Sequence, residues 1–495
     1  MPHKACFYKL CFILSFLVPI YLIYIVENSS YEELISLLKP HYFDTSIEKQ
    51  EYSSKYFHSQ RMPLLRIIIW SLLPIWIVSV CVMCRTNTIK RISQWKQELI
   101  HIFQRYKTIW NTIPVVYKWI LAFSGIWLYS IKFFFFLTTP ENHDASWSFW
   151  GFVDQGFWVI LTYYPDTNNH IFYNLLCLPF SWLLPGQSLW DMTIPNIVIG
   201  TATLLWLFCE LSRRWNHETA LISVIWIASF YESSRYLFQG RGHLLIVSFS
   251  LISTFILLSG ELVNSKKVYF PLFILSCILG LYTVPTYVLH LFALYVFGVG
   301  YAISYKDKVL FMNLVQAGIW ICAGTLICYL PVIGVSGLES LIHTGPAHPM
   351  APDMFQRLYP VFIAEWTEYV LGIFLLFKHA FLVAIPIGIS ILITLFQKRL
   401  DQSIRIWLYF IIVIIVVFII FSLITRIMPE YRVFSFFIWH LHISFVLVAI
   451  HWIPRIKHLS MIIGVVTLLL ITGTLLYIRA EHLRALHPMH NDLAF

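Results

Sequence analysis

Residues 140–174 concentrate the side chains of this sequence that are suited to acid and base chemistry. The stretch carries three aspartates and two imidazoles, namely Asp144, Asp154, Asp166, His143 and His170. It follows residues 117–136, an apolar segment long enough to cross a bilayer. Because these groups stand among Trp, Tyr and Phe residues, they indicate a site that handles a polar substrate at a membrane surface.

Asp144 is the candidate for a catalytic base. A hydroxyl group that attacks as a nucleophile must lose its proton, and a carboxylate within hydrogen-bond reach can accept it. The alternative is a carboxylate that caps a helix beginning near Ala145. Asp154 is expected on the polar face of the same helix, and Asp166 fits a turn. His170 is expected to contact either substrate or lipid headgroups.

Four arginines stand at the expected outer ends of apolar segments: Arg235, Arg241, Arg426 and Arg432. Each one alone has an ordinary explanation, in which its side chain reaches the outer headgroups. As a group they favour a clamp for phosphate or pyrophosphate. The guanidinium fork matches phosphate oxygens, and a partly dry interface strengthens the contact.

The composition predicts an all-α polytopic membrane protein. The chain of 495 residues has 59% hydrophobic and 12% charged residues, whereas a water-soluble globule carries about 25% charged residues. The net charge of +9 comes from short Lys and Arg clusters between apolar runs, so nucleic acid is not an expected partner. The nine cysteines lie mostly in apolar segments, which predicts neither a disulfide framework nor a zinc site.

The apolar runs predict 13 membrane spans. They are residues 6–26, 63–84, 117–136, 194–211, 220–238, 244–260, 268–283, 287–304, 309–335, 381–396, 406–424, 433–452 and 460–478. The basic segment 85–107 sets the cytoplasmic side, and its helical apolar spacing predicts a helix on the inner membrane surface. The short run 171–184 contains Pro179 and is expected to lie in the outer interface.

These spans divide the chain into three parts. Residues 1–112 form a transmembrane hairpin with the basic cytoplasmic segment, residues 113–480 a core with outer loops 137–193 and 336–366, and residues 481–495 an extracytoplasmic tail. The second outer loop carries a scattered set of possible metal ligands: Glu339, His343, His348, Asp353 and Glu365. Their spacing matches no known site, which favours a solvated loop and predicts no metal.

Several short motifs in order carry a family resemblance: HDASW, YYPDTNNHIFYNLL, RGHLLIVSFSL, LYTVPTYVL and PEYR. Over about residues 117–478 the chain resembles the GT-C superfamily of polyprenyl-phosphate-dependent glycosyltransferases, of the protein mannosyltransferase and aminoarabinose transferase type. The resemblance implies a GT-C-like core of about 11 transmembrane helices after a two-helix hairpin. Many relatives carry Asp-Glu where this chain has Asp144 and Ala145, so one carboxylate of that pattern is missing.

The resemblance implies a sugar donor carried on a polyprenyl phosphate and transfer with inversion at the anomeric carbon, without a cofactor. Asp144 would be the base, and the four arginines would bind the donor phosphate. The remaining substrate contacts are expected from imidazole, aromatic and amide side chains: His143, Tyr163, Tyr164, Asn168, Asn169 and His170. The acceptor would be a glycan, a lipid or a protein. The expected location is the bacterial inner membrane, with the site facing the periplasm or exterior.

Two other classes of function fit parts of the pattern. A surface-polysaccharide polymerase or ligase also uses outer Arg and His residues on lipid-linked glycans, and it takes a pyrophosphate-linked oligosaccharide. A flippase or transporter would need a polar path through the spans, and the predicted spans are nearly free of Asp and Glu.

Overall fold

The computed structural model describes residues 17–30, 33–34, 62–84, 86–138, 143–165, 169–184, 188–230, 236–264, 268–342, 349–371, 380–428 and 434–452. Every regular element in these ranges is a helix, so the all-α prediction is confirmed for this part of the chain. The predicted span 460–478 and the tail 481–495 lie outside the described residues.

The α-helices, in chain order, are α1 Leu17–Asn28, α2 Met62–Cys84, α3 Thr86–Thr112, α4 Val115–Thr138, α5 His143–Ser148, α6 Phe157–Thr162, α7 Ile171–Leu183, α8 Ser188–Arg214, α9 His217–Ser229, α10 His243–Leu258, α11 Glu261–Asn264, α12 Tyr269–Thr283, α13 Val288–Ser304, α14 Lys308–Val335, α15 Leu338–Ile342, α16 Pro352–Leu371, α17 Ala380–Leu395, α18 Gln402–Thr425 and α19 Ser435–Trp452. A π-helical turn, Phe149–Val153, continues α5, and a 3₁₀ turn, Pro285–Tyr287, precedes α13.

Five helical segments of the described chain are long and apolar enough to cross a membrane, judged by length and composition. They are Trp190–Arg214, Pro285–Ser304, Lys308–Val335, Gln402–Thr425 and Ser435–Trp452. The number of such segments is six if the bent pair Lys96–Thr112 and Val115–Ser130 counts as one span. These helices are compatible with a multi-pass membrane protein.

The bend between α3 and α4 measures 100°. It falls at Ile113 and Pro114, and proline restricts the residue before it to extended conformations, which ends α3. The predicted amphipathic helix therefore exists and turns sharply into the apolar helix α4. Leu99 and Phe103 of α3 are exposed, beside the basic residues of the same helix.

Two predictions about helix boundaries are wrong. Residues 220–238 do not form one continuous helix, since α9 ends at Ser229; residues 236–238 are again helical. Phe230 is extended there, and its ring packs against the His442 ring with a centroid distance of 3.7 Å. A tertiary contact thus overrides a run of apolar residues that would suit a helix.

The second outer loop is largely helical in its described part and not an irregular loop, although its acids Glu339, Asp353 and Glu365 are exposed as predicted. Asp353 and Glu365 belong to helix α16, whereas His343 and His348 lie outside the described residues. Helix α16 is held by Trp366, which stacks on Phe418 at 4.7 Å and on Phe437 at 5.8 Å between ring centroids. Aromatic packing on one face of the segment explains why it is helical despite its charges.

Helix α10 lies at the centre of the main apolar core. It packs against α8, α12 and α19, and most of its side chains are buried. Its first residue, His243, follows the short loop Gln239–Gly242, so this loop is fixed at one end of the helix core. The loop positions the arginine of the RGH motif.

Candidate functional site

The loop before α10 passes close to four other segments, and its glycines allow the close approach. A Cβ on Gly242 would lie 2.5 Å from Cγ2 of Thr283 and 2.9 Å from Nδ1 of His170. Gly240 has φ of +62°, and a Cβ there would lie 2.9 Å from Cβ of Met192. A side chain at Gly240 would strain the backbone, and one at either position would displace its neighbours.

His170 and Arg241 meet beside this loop. The Gly242 backbone N–H donates to Nδ1 of His170 at 2.9 Å, so the proton of the neutral ring lies on Nε2. Nη2 of Arg241 lies 3.4 Å from that Nε2. Two N–H donors therefore stand side by side, an arrangement that suits an oxygen-rich anion. Both side chains are buried, at 3% and 4% exposure, which strengthens such a contact.

The surrounding rings and amides hold the pair in place. The His243 ring meets the His170 ring edge to face at 5.1 Å between centroids. The Asn196 side-chain N–H donates to the Arg241 carbonyl at 2.9 Å, which fixes the loop against α8. We call the group of Asn169, His170, Asn174, Asn196, Arg241 and Gly242 the His170–Arg241 site.

The predicted base lies in a segment next to this site. Helix α5 begins at His143, so Asp144 stands in its first turn and not at the cap expected before Ala145. A Cβ on Gly240 would lie 3.2 Å from Cβ of Ala145, so the backbone that carries Asp144 runs beside the loop of Arg241. The side chains of His143 and Asp144 lie outside the described part of the structure.

The side chain of Asn169 makes its hydrogen bonds to other protein atoms. Its amide N–H groups donate to the carbonyls of Ile160 at 2.9 Å and Tyr163 at 2.7 Å, and its Oδ1 accepts from Asn174 at 2.9 Å. Asn169 therefore ties the segment after α6 to the start of α7. This geometry fixes His170, the next residue, in its position beside Arg241.

The two predicted tyrosines pack into an apolar cluster. Tyr163 and Tyr164 are 4% and 1% exposed and lie with Phe152, Ile171 and Tyr329. The Tyr164 backbone N–H donates to Oγ of Ser336 at 3.1 Å, and Ser336 donates to the Thr162 carbonyl at 2.7 Å. These contacts join α6 to the end of α14, behind the site.

The other predicted contacts are not brought to this site by the described residues. Arg426 ends α18 in the left-handed conformation with φ of +54°, and its carbonyl accepts from the Met350 N–H at 3.0 Å. Asn168, Arg235 and Arg432 lie outside the described residues, as does Asp166. Asp154 is exposed, as its expected place on a polar face requires.

Three buried polar residues near the site were missed in the sequence. Asp191, Asn174 and Asn196 are each 0% exposed. Asp191 stands four residues after the sequence Pro-Gly-Gln, where a single acid resembles part of a loop. Asn174 and Asn196 lie inside apolar helices, and an amide buried in such a helix is a signal that could have found them.

A second group of buried histidines joins α10, α13 and α19. Nδ1–H of His440 donates to the Phe436 carbonyl at 2.7 Å, so its Nε2 accepts from Oγ1 of Thr254 at 3.0 Å. Nε2 of His290 lies 3.2 Å from Oγ of Ser253. The Trp407 ring stacks on His440 at 5.5 Å between centroids. Neighbours on three helices thus hold these rings, which favours a role in helix packing.

No family model, no curated protein and no solved structure matches this chain. The interpretation of the His170–Arg241 site therefore rests on its own geometry and chemistry.

Proposed function

We propose that this protein is an integral-membrane glycosyltransferase that moves a sugar from a polyprenyl phosphate to an acceptor at the extracytoplasmic face. The observation that carries the proposal is the pair of buried donors on Arg241 and His170 beside the segment of Asp144. Guanidinium and imidazole N–H groups match the oxygens of a phosphate that leaves with negative charge.

In the reaction, the acceptor hydroxyl oxygen attacks the anomeric carbon of the sugar from the face opposite the phosphate. The bond between that carbon and the phosphate oxygen breaks, and its electron pair leaves with the polyprenyl phosphate. The hydroxyl proton passes to the carboxylate of Asp144. Arg241 and the Nε2–H of His170 hold the phosphate as its charge increases. Attack from the opposite face inverts the anomeric configuration.

The proposed arrangement in the membrane has 13 spans, with residues 140–174 and 239–242 on the extracytoplasmic side and the basic residues of α3 in the cytoplasm. The length of α8 supports this arrangement. From Asp191 to Glu210 a helix rises roughly 28 Å, close to the thickness of the bilayer hydrocarbon. The proposed location is a bacterial inner membrane.

Purified protein in lipid nanodiscs provides the test. We expect release of free polyprenyl phosphate from polyprenyl-phosphate sugars when an acceptor is present. Asp144→Asn should lower turnover by about 10²-fold or more while donor affinity changes little, because it keeps the side-chain size and removes basicity. Asp154→Asn is the matched control, since Asp154 is exposed and is expected to leave turnover unchanged.

Two results would contradict the proposal. Full turnover by Asp144→Asn would show that another group accepts the proton. Consumption of pyrophosphate-linked oligosaccharides, with no consumption of monophosphate-linked single sugars, would instead identify a polymerase or ligase.

A further inference from the structure

Asp191, in the first turn of α8, is a buried carboxylate with no hydrogen-bond partner among the described residues. Its side chain is 0% exposed, and neither carboxylate oxygen accepts a hydrogen bond there. A buried carboxylate is unfavourable unless a partner satisfies it. The ligand-free protein therefore holds an acid whose partner is not part of the described chain.

The position of Asp191 links it to the His170–Arg241 site. Met192, the next residue, accepts a hydrogen bond at its carbonyl from the hydroxyl of Tyr173 on α7, and its side chain lies against Gly240 of the Arg241 loop. His170, Asn174 and Cys177 follow one another at helical spacing and share one face of α7. Asp191 therefore stands on the segment of α8 that packs against both α7 and the Arg241 loop.

Two amides near Asp191 also carry acceptor oxygens that the described residues leave without a hydrogen bond. Oδ1 of Asn174 and Oδ1 of Asn196 also have no hydrogen-bond partner in the described structure. Their amide N–H groups are used, toward Asn169 and the Arg241 carbonyl respectively. The segments that meet here thus carry the donor groups of Arg241 and His170 and the acceptor oxygens of Asp191, Asn174 and Asn196.

We propose that Asp191, with Asn174 and Asn196, binds the hydroxyl groups of the sugar whose phosphate lies at Arg241 and His170. The inference rests on the proposed function and assigns it a residue that determines which sugar is accepted. An ionised carboxylate accepts hydrogen bonds from two hydroxyls at once, and amide oxygens accept from others. A sugar phosphate has the matching polarity, with an anion at one end and hydroxyl donors along the ring.

A polyol fits this set of acceptors better than a metal ion does. Two of the three acceptors are neutral amides, and the described residues contain no group of three or more His, Cys, Asp or Glu side chains that could hold a metal. Hydroxyl donors satisfy the carboxylate without requiring further acids. Binding of a divalent ion at Asp191 would nevertheless be measurable with the same variants.

Asp191→Asn in the full-length protein tests the inference, because asparagine keeps the shape of the side chain and removes its charge. We expect three results together. The melting temperature of the ligand-free protein rises, since an unsatisfied buried charge is removed. Affinity for a polyprenyl-phosphate sugar falls about 10- to 100-fold, the scale of a hydrogen bond to a charged group. Affinity for the same polyprenyl phosphate without the sugar stays unchanged.

Two further variants keep the result interpretable. Asp191→Ser removes the carboxylate with a smaller side chain, and it should give the same pattern if Asp191→Asn folds poorly. Asp353→Asn changes an exposed acid on α16 and is expected to leave both affinities and the melting temperature unchanged.

Separate outcomes overturn the inference and the proposed function. If wild-type protein binds the sugar-loaded lipid in a manner that depends on Arg241, and Asp191→Asn binds it equally well, only the inference on Asp191 is wrong. An affinity that depends on added Mn²⁺ and on Asp191 would show that Asp191 binds a metal ion and not the sugar hydroxyls. Absence of binding to any polyprenyl-phosphate sugar in wild type would reject the proposed function and this inference with it.

Discussion

The two ends of helix α8 carry buried polar groups that differ in how completely they are satisfied. At its C-terminal end Glu210 is 2% exposed and accepts from Arg213 at 2.6 Å, from Arg214 at 2.6 Å and from the hydroxyl of Tyr106 at 2.9 Å. At the other end both carboxylate oxygens of Asp191 lack a partner in the described structure. We call the first group, Tyr106, Glu210, Arg213 and Arg214, the Glu210 ion cluster.

The cluster extends its hydrogen bonds into the rest of the fold. Arg214 donates to the Phe255 carbonyl at 2.8 Å, and the Trp206 indole donates to the hydroxyl of Tyr106 at 3.1 Å. Each of these bonds links α8 to a neighbouring helix, α10 in the first case and α3 in the second. A polar network that satisfies its members within the protein has a structural role, whereas buried acceptors left over at a site indicate a ligand. The contrast assigns packing to one end of α8 and binding to the other.

The largest expected effect is a difference between the two ends of α8 in their accessibility to a reagent added outside cells. On a background without accessible native cysteines, Asp154→Cys should react with a membrane-impermeant thiol reagent added outside cells, and Lys107→Cys should not. Both positions are exposed, one near the His170–Arg241 site and one on α3 near the ion cluster. Reaction only after lysis for position 154, with reaction from outside for position 107, would reverse the proposed orientation.

Removal of Glu210 should strongly destabilise the folded protein. Glu210→Ala leaves two partly buried guanidinium groups without their common acceptor, and breaking a buried pair lowers the free energy of unfolding by about 3–5 kcal/mol. Thermal unfolding in detergent measures the loss. Glu218→Ala is the control, because Glu218 is exposed and accepts from the Tyr117 hydroxyl at 3.2 Å, so its removal should cost much less. Equal losses of stability in the two variants would contradict a structural role of the Glu210 ion cluster.

Removal of Arg241 should mainly affect binding. Arg241→Ala is expected to weaken binding of the polyprenyl-phosphate donor by about 1.5–3 kcal/mol, the scale of a charge-assisted hydrogen bond. Arg241→Lys should recover only part of the affinity, since a point charge does not reproduce the guanidinium fork. The measurement is donor affinity by titration. Arg357→Ala, an exposed arginine on α16, serves as the control, and a loss as large as that of Arg241→Ala would show a general charge effect.

The smallest expected effect concerns Asp401, an acid that has hydrogen-bond partners and lies outside both ends of α8. Its carboxylate accepts from the Ser403 hydroxyl and from the backbone N–H groups of Ser403 and Ile404 at the start of α18, and these hydrogen bonds lower its pKa below the ordinary 3.8. Asp401→Ala should lower the free energy of unfolding by about 1 kcal/mol. Because the folded-state pKa is depressed, this contribution is present above the ordinary pKa and is lost as pH falls through the folded value.

A melting curve taken at falling pH checks the sign. The difference between wild type and Asp401→Ala should be full at neutral pH and should shrink only below about pH 4. A difference that grows with acidity would contradict the capping role of Asp401.

Local sequence was sufficient for the class of fold and for most helices. The apolar runs predicted helices close to α7 and α14, and the amphipathic spacing of residues 85–107 predicted α3, because side-chain periodicity directly reflects which face of a helix is buried. Local sequence failed where tertiary packing determines the conformation of the backbone. The break after Ser229 depends on the ring of His442, and the helix over Asp353 and Glu365 depends on aromatic contacts of Trp366.

The candidate site shows more clearly the same division between what local sequence predicts and what tertiary packing decides. The residue types of His170, Arg241 and the stretch around Asp144 pointed to phosphate and proton chemistry from sequence alone. Only the tertiary structure brings Gly242 within hydrogen-bond distance of His170 and sets Gly240 against Ala145 and Met192. Only burial distinguishes Asp191 from an acid in a loop. A hydrogen bond between residues 72 positions apart and the desolvation of a carboxylate both depend on which helices meet, and no local pattern in the chain encodes that.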